Sequence, residues 1–378
     1  MTDWEKYWLW LCSAEEIGPA TIDKLINVFG NVEHIFKAGQ KALEKLSWLD
    51  AKQKAGLLKY QSEDGLSYLS ENIKRKGISF VSCENEAYPA VLKHIFEYPK
   101  GLFYIGTPPW MRVKETEAGR ALAIVGARAC TSLGRLEAER FAFELSGCGI
   151  HIISGMAAGI DAAAHTGALK AGALTTAVLG SGVDVCYPVK NSRLYGQLCE
   201  HGCIVSEYPP GSPPLAWHFP RRNRIISGLC RGVLVVEARI RSGSLITAGF
   251  ALEQGKDIFA VPGRGCDVLS GGCNNLIRQG AFLADSPQDI LDYYHIAYTK
   301  IKKNKIRLAK SENMVYSTMC LTPKYIEEIC AQTALPAGDV MSALYRLEKA
   351  GLIIRLSAQQ YMVKQTHAEI VIESDDGA

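Results

Sequence analysis

The chain has 378 residues, 48% of them hydrophobic, with a formal net charge of +3. That length accommodates two or three domains, and that composition supports sizeable apolar cores rather than a disordered chain. The small net charge excludes a globally basic coat, so any polyanion site must be a local concentration of cations.

No apolar run reaches membrane-spanning length, so no membrane partner is expected. Asp3 and Glu5 sit where a signal peptide would be basic, so no secretion signal is read. The closest cysteine pairs are Cys199/Cys203 and Cys266/Cys273, and no Cys-x-x-Cys occurs. Most of the 12 cysteines stand alone among aliphatic residues, as small buried hydrophobes do. We therefore expect neither a metal site nor a disulfide framework, which fits a reducing cytoplasm.

Residues 1 to about 75 read as helical. Ile17-Gly18-Pro19-Ala20-Thr21-Ile22 is a turn feeding an amphipathic helix that ends at Phe29-Gly30. This segment predicts a domain of the SAM or helix-hairpin-helix type, whose glycine turn could offer backbone N–H groups to a phosphate. A plain helical bundle with no ligand fits the same residues.

From about residue 76 to 297 short apolar runs alternate with helical windows. The runs are Leu122–Val125, Ile150–Ile153, Thr176–Leu179, Cys203–Val205, Val233–Val236 and Ile258–Val261. The helical windows include Leu136–Leu145 and Leu245–Gln254. Continuous apolar strands separated by helices predict an α/β core with an extended Rossmann-like parallel sheet covered on both faces. Ligands of such sheets bind outside the strands' carboxyl ends. Twenty-three of the 35 glycines lie between Gly126 and Gly280, which marks this core as the ligand-binding part.

Residues 298–312 form a basic linker with Lys300, Lys302, Lys303, Lys305, Arg307 and Lys310. Residues 313–366 show helix signals at Thr322–Thr333 and Gly338–Ala350, then a strand pair at Leu352–Leu356 and Gln360–Val363. Two helices and a hairpin predict a winged helix. Residues 367–378 read as a disordered tail.

The densest chemistry is Trp217-His218-Phe219-Pro220-Arg221-Arg222-Asn223-Arg224-Ile225-Ile226. Guanidinium forks suit phosphate and flat rings stack on unpaired bases, so this basic loop points to single-stranded nucleic acid. Trp217 and Phe219 could equally be core anchors. Gly126-Ala127-Arg128 follows a strand, with Thr131 and Ser132 as hydroxyl donors. It lacks the G-x-G-x-x-G fingerprint, and no Walker loop occurs. Ser242-Gly243-Ser244 opens a helix whose free N–H groups suit an anion or merely a cap. Lys190 follows a strand exit, and Lys170 is a second single lysine.

Asp161 and His165 lie one helical turn apart, but no nucleophile elbow accompanies them. Asp161 also reads as a helix-start acid. Glu207 and Glu237 are acids at strand ends with no assigned partner. We expect no catalytic residue, no metal and no cofactor. The enzyme alternative is a Rossmann-like nucleotide phosphoribohydrolase. Pro262-Gly263-Arg264-Gly265 lacks that class's Thr-x-x-Glu continuation. Sequence-specific duplex readout by the winged helix ranks below both.

Ser154–Asp161, Ser206–Gly211, Phe219–Ile226, Ser242–Ala248, Ala260–Gly263 and Gly272–Ala281 occur in this order in the bacterial DNA-processing protein A family, DprA or Smf, which the chain resembles. The likeness is dense from about 120 to 285 and looser in both flanks. In the first block the family's Gly-Ser-Arg-x-x-Ser-x-Tyr-Gly becomes Gly126-Ala127-Arg128-Ala129-Cys130-Thr131-Ser132-Leu133-Gly134, losing a hydroxyl and an aromatic. The resemblance implies a homodimer that binds and protects incoming single-stranded DNA during natural transformation and loads the RecA recombinase. Its anion pocket would comprise Arg128, Lys190, Arg222, Asn223 and Arg224. Ser154 and Ser244 would be its polar loop donors and Arg221 an extra cation; Gly155, Gly243 and Lys170 are further candidate phosphate contacts, Lys170 only if it faces the same cleft.

Overall fold

A computed structural model describes residues 2–111, 120–298, 305–320, 322–363 and 369–372. The chain divides into two compact units near residue 299.

The larger unit starts with six helices: α1 Asp3–Ser13, α2 Pro19–Phe29, α3 Val32–Lys37, α4 Gly39–Glu44, α5 Ala51–Leu58 and α6 Glu63–Arg75. A nine-stranded sheet follows, in the order β1-β2-β6-β5-β4-β3-β7-β8-β9. Its strands are β1 Ser79–Ser82, β2 Gly101–Gly106, β3 Ala121–Val125, β4 His151–Ser154, β5 Thr175–Val178, β6 Cys203–Ser206, β7 Gly232–Val235, β8 Asp257–Ala260 and β9 Phe282–Leu283. β3 to β9 pair in parallel, whereas β2 runs antiparallel to both β6 and β1. The sheet is therefore mixed at one end, not wholly parallel as the apolar runs predict.

Alternate residues of one strand enter opposite faces of the sheet. Leu122 and Ile124 of β3 join one buried cluster, and Ala123 and Val125 join the other. The first cluster is backed by helices α7 Ser132–Gly147 and α8 Ile160–Lys170, through Phe141, Leu145, Ile160 and Ala164. The second is backed by Leu198 of α9 Ser192–His201, Ile225 and Ile226 of α10 His218–Gly228, and Ala248 and Ala251 of α11 Gly243–Glu253. Three layers result, as continuous apolar strands require. Helices α12 Gly271–Arg278 and α13 Pro287–Tyr293 complete the larger unit.

The same second cluster runs on into Trp8, Leu11, Leu25 and Leu57 of the first helices. Trp8 Nε1 also donates to Glu84 at 3.1 Å, just past β1. The boundary expected near residue 75 is thus not a break in packing. The apolar faces of α1 and α6 share one continuous core with the sheet.

The smaller unit holds helices α14 Lys310–Thr318, α15 Ile326–Thr333 and α16 Ala337–Lys349, and strands β11 Lys324–Tyr325, β12 Ile353–Arg355 and β13 Gln360–Val363. These strands pair antiparallel in the order β11-β13-β12, beside a core of Val315, Ile329, Leu344 and Leu352. Helix α14 and strand β11 are additions to the two helices and hairpin expected. Two further expectations are corrected. β10 Lys305–Leu308, within the supposed linker, pairs in parallel with β14 Glu369–Ile372, within the supposed tail. A partner some 60 residues away cannot be read from local charge. Lys300, Lys302, Lys303 and residues 373–378 lie outside the described residues.

Burial holds three histidines of the larger unit back from protonation, His151, His165 and His218, the first two most strongly. Thr175 Oγ1 donates to Ile152 O at 2.7 Å, so His165 Nδ1 is the donor in its 2.8 Å bond to Thr175. Burial pushes the His165 imidazole down to about 3 and that of His151 down to about 4. Folding therefore favours both neutral forms. Their stabilising contribution is full above the unfolded value near 6.5 and is lost as pH falls toward 4. Each histidine can remove up to about 1.4 kcal/mol per pH unit across that window. Thermal melts from pH 7 to 4.5 should show this acid limb, and His165→Gln should flatten it. An equally steep limb in that variant would assign the acid sensitivity elsewhere.

Candidate nucleic-acid interface

The strand order reverses between β3 and β7: the chain runs from β3 outward to β6, then returns to β7 on β3's other side. Such a switch point opens a crevice at the carboxyl ends of the two strands. A cleft of about 460 Å³ lies there. Its walls come from the turn after β3, the segment after β7, and one stripe of α10.

That stripe is Phe219, Arg222, Asn223 and Ile226. Their spacing of i, i+3, i+4 and i+7 is one face of a helix. The basic segment is therefore helical from His218, not a loop. Pro220 is tolerated because it stands in the first turn, where no intrahelical N–H is needed.

Helical phase then separates the arginines. Arg222 is 3% exposed and forms the cleft floor. Its Nη1 donates to Gly155 O at 2.8 Å and to Val178 O, tying the ends of β4 and β5 together. A Cβ at Gly155 would lie 2.5 Å from the guanidinium, so a larger residue there would displace Arg222 from this position. Burial pulls Arg222 down to about 10, so it keeps its charge at neutral pH. The carboxylate beside it is Asp161, which accepts from Gly155 N at 3.2 Å and Ala157 N at 3.3 Å. Burial raises the Asp161 carboxyl above its ordinary range, with Arg222 pulling the other way.

Arg128 stands exposed on the cleft rim, its guanidinium 5.4 Å from the centre of the Phe219 ring. Phe219 in turn lies 5.4 Å from Tyr187. The ring thus holds Arg128 over the floor by a cation–π contact. Arg128 also borders an adjoining recess of about 320 Å³ with Lys190, Gly155, Tyr187 and Phe219. Gly243 and Ser244 line the cleft at the start of α11, where Ser242 caps Ser244 N at 3.4 Å. Free helix N–H groups add positive potential at that wall.

Four expected residues point elsewhere. Arg224, two positions from Arg222, emerges on the other side of α10 and pairs with Glu207, both side chains under 10% exposed. Arg221 reaches Glu97 at 3.3 Å. Ser154 Oγ is buried and donates to Ile124 O at 2.6 Å. Lys170 ends α8, which starts at the carboxyl edge of the sheet and so finishes at the opposite edge, paired with Glu139. Thr131 is not a free donor either. It caps α7 and gives its hydroxyl and backbone N–H to Glu237. Glu207 and Glu237, unassigned in the sequence, are thereby explained as partners of Arg224 and of the β3 turn.

The acid–base pair is not assembled. Asp161 is bound to its own loop and His165 to Thr175. Gly263 is tied to Asn274 by two hydrogen bonds, 3.2 and 2.9 Å, so the Pro262-Gly263 turn serves structure. Among the described residues no three His, Cys, Asp or Glu side chains converge as metal ligands. No described helix is long and apolar enough to cross a membrane.

Two cleft residues escaped the sequence reading: Arg239 and Arg241, both exposed. Neither has an ion pair among the described residues. They occupy the short segment between the end of β7 and the start of α11, at the carboxyl edge of the sheet where ligands bind. That position was the available signal. The cleft thus gathers Arg128, Arg222, Arg239 and Arg241 around one buried acid, Asp161. Arg239→Ala and Arg241→Ala should each leave stability within about 0.5 kcal/mol. Each should flatten the salt slope of single-strand binding by about 0.7 for every phosphate that is no longer neutralised. Unchanged slopes in both would place the strand away from this wall.

The family model described as DNA recombination-mediator protein A matches residues 79–295. Protein Smf of Escherichia coli is 36% identical over 330 residues, covering 82% of this chain and 86% of that one. DNA processing protein DprA of Streptococcus pneumoniae is 46% identical over 207 residues, covering 55% of this chain and 71% of that one. Its X-ray structure superposes with a TM-score of 0.63 at 37% identity, covering 77% of this chain and 98% of that one. A Helicobacter pylori DNA processing protein A, solved for its single-stranded DNA binding mode, superposes with a TM-score of 0.51 at 27% identity, covering 58% and 98%. A Rossmann-like sheet with a cationic cleft at its switch point, and a family match spanning that sheet, make this chain a member of the DNA recombination-mediator protein A family, DprA/Smf.

Proposed function

We propose that this protein binds single-stranded DNA in the cleft at the β3–β7 switch point and delivers it to the RecA recombinase without turning it over. The carrying observation is the charge balance of the cleft: four arginines, one of them buried and fully charged, against a single buried acid. A crevice with that balance recruits a polyanion, and low-dielectric walls strengthen the attraction. The Helicobacter relative's single-strand binding supports the choice of ligand.

Lys190 and Arg128, on the adjoining recess, extend the track beyond one phosphate. The protein acts as a homodimer, and its smaller unit is a winged helix. Delivery is tested by following RecA assembly on a single strand, by light scattering or a strand-exchange assay, with and without the protein. Faster assembly with the strand uncut and nucleotides unhydrolysed by this protein is expected. Release of free base or of nucleotide, abolished by Asp161→Asn, would replace this function with an enzymatic one.

A further inference from the structure

The Gly18 turn and Trp217 border a separate slot whose lining also carries Glu15 and Glu16, which makes it unfit for phosphate. The cleft at the switch point contains one group that a polyanion site does not need. Its lining holds four arginines and a single acid, Asp161, which is 6% exposed. The turn after β4 explains where that carboxylate sits. Met156 takes a left-handed φ of 56°, which aims the N–H groups on either side of it inward. Gly155 N and Ala157 N both donate to one oxygen, Oδ2, at 3.2 and 3.3 Å. Convergent N–H groups of this kind form a nest for an anion. Here the chain's own side chain fills the nest.

That bonding leaves the charge itself unexplained. Both hydrogen bonds end on Oδ2, and Oδ1 accepts none from a described residue. Arg222 and Arg128 act on the carboxylate through space, with no hydrogen bond to it. Arg222 is held by the carbonyls of Gly155 and Val178 instead. An amide oxygen in the place of Oδ2 would accept the same two N–H groups. The turn thus requires an acceptor at this position, not a negative charge. In a cleft for polyanions that charge opposes binding, because like charges repel, and most strongly between low-dielectric walls.

We propose that Asp161 sets the affinity of the cleft: it is a fixed counter-charge that keeps phosphates off the nest and makes the hold on the strand reversible. The proposal rests on the single-strand function above. Arg128, Arg239 and Arg241 stand exposed around the cleft and draw a strand in. Asp161 offsets part of the field of Arg222, the cation of the floor. The strand is therefore held by the rim more than by the floor, where a phosphate would be buried and slow to leave. Delivery needs that balance, since a strand held by every available donor would not be passed on.

The test uses the full chain and a fluorescent dT20. Asp161→Asn keeps the acceptor and removes the charge. It should bind dT20 about tenfold more tightly than the wild type, the worth of one unit charge across roughly 12 Å at the dielectric of a protein surface. Most of the gain should appear as slower dissociation in a stopped-flow chase. Asp161→Ser, with a hydroxyl as acceptor, should shift affinity in the same direction, so that the effect follows the charge and not the amide. Urea titration checks that both variants are folded. Unchanged or weaker binding by the folded variants, or a failure of both to fold, would make the carboxylate a structural requirement and overturn the proposal. No binding of dT20 by the wild type would instead overturn the single-strand function itself.

Discussion

Arg222→Ala is expected to abolish single-strand binding and to lower stability by about 3 kcal/mol. Two effects combine. The cleft loses its floor charge, and the carbonyls of Gly155 and Val178 lose the donor that joins β4 to β5. Asp161 is also left without the cation beside it. Arg222→Lys should fold better yet bind poorly, since a single ammonium cannot reproduce the planar fork. Urea titration and a fluorescent dT20 binding curve measure both quantities. A variant that melts like the wild type would mean that the guanidinium is not the tie between the two strands.

Arg224 should behave in the opposite way. Arg224→Ala strands Glu207 as a buried charge and should cost about 3–5 kcal/mol. The double change Arg224→Met with Glu207→Leu should recover most of that, because both charges leave together. Its salt slope on DNA should equal the wild-type slope. A flattened slope in this folded double variant would return Arg224 to the phosphate track.

The contrast between these neighbouring arginines shows where the sequence stops being legible. Four-residue apolar runs bounded by glycine or serine are too short for helices and alternate with helical windows, so β3 to β8 are readable as buried strands. Their exits locate the cleft, because parallel sheets bind ligands at that edge. The state of the Arg221–Arg224 segment was not readable. Pro220 and three arginines suggest a loop, yet one proline in a first turn is compatible with a helix. Once it is helical, only Arg222 and Asn223 of that segment can face the crevice. Lys170 and Ser154 failed for related reasons: one lies at the far end of a helix, the other on a strand residue that turns inward. Arg239 and Arg241 were missed because they sit in no motif, only in a place. Likewise the pairing of β10 with β14 depends on residues distant in sequence, which composition cannot reveal.

The most direct test of the central claim is a salt titration of the purified protein against matched single- and double-stranded oligonucleotides. With several arginines on the strand, log affinity for the single strand should fall linearly with log salt, by about 0.7 for each phosphate engaged. Arg128→Ala combined with Lys190→Ala should remove one to two such increments with the fold intact. A clear preference for the single strand at every salt concentration and a flattened slope in that double variant are expected. Equal binding of duplex and single strand, or a double variant with the wild-type slope, would contradict that claim.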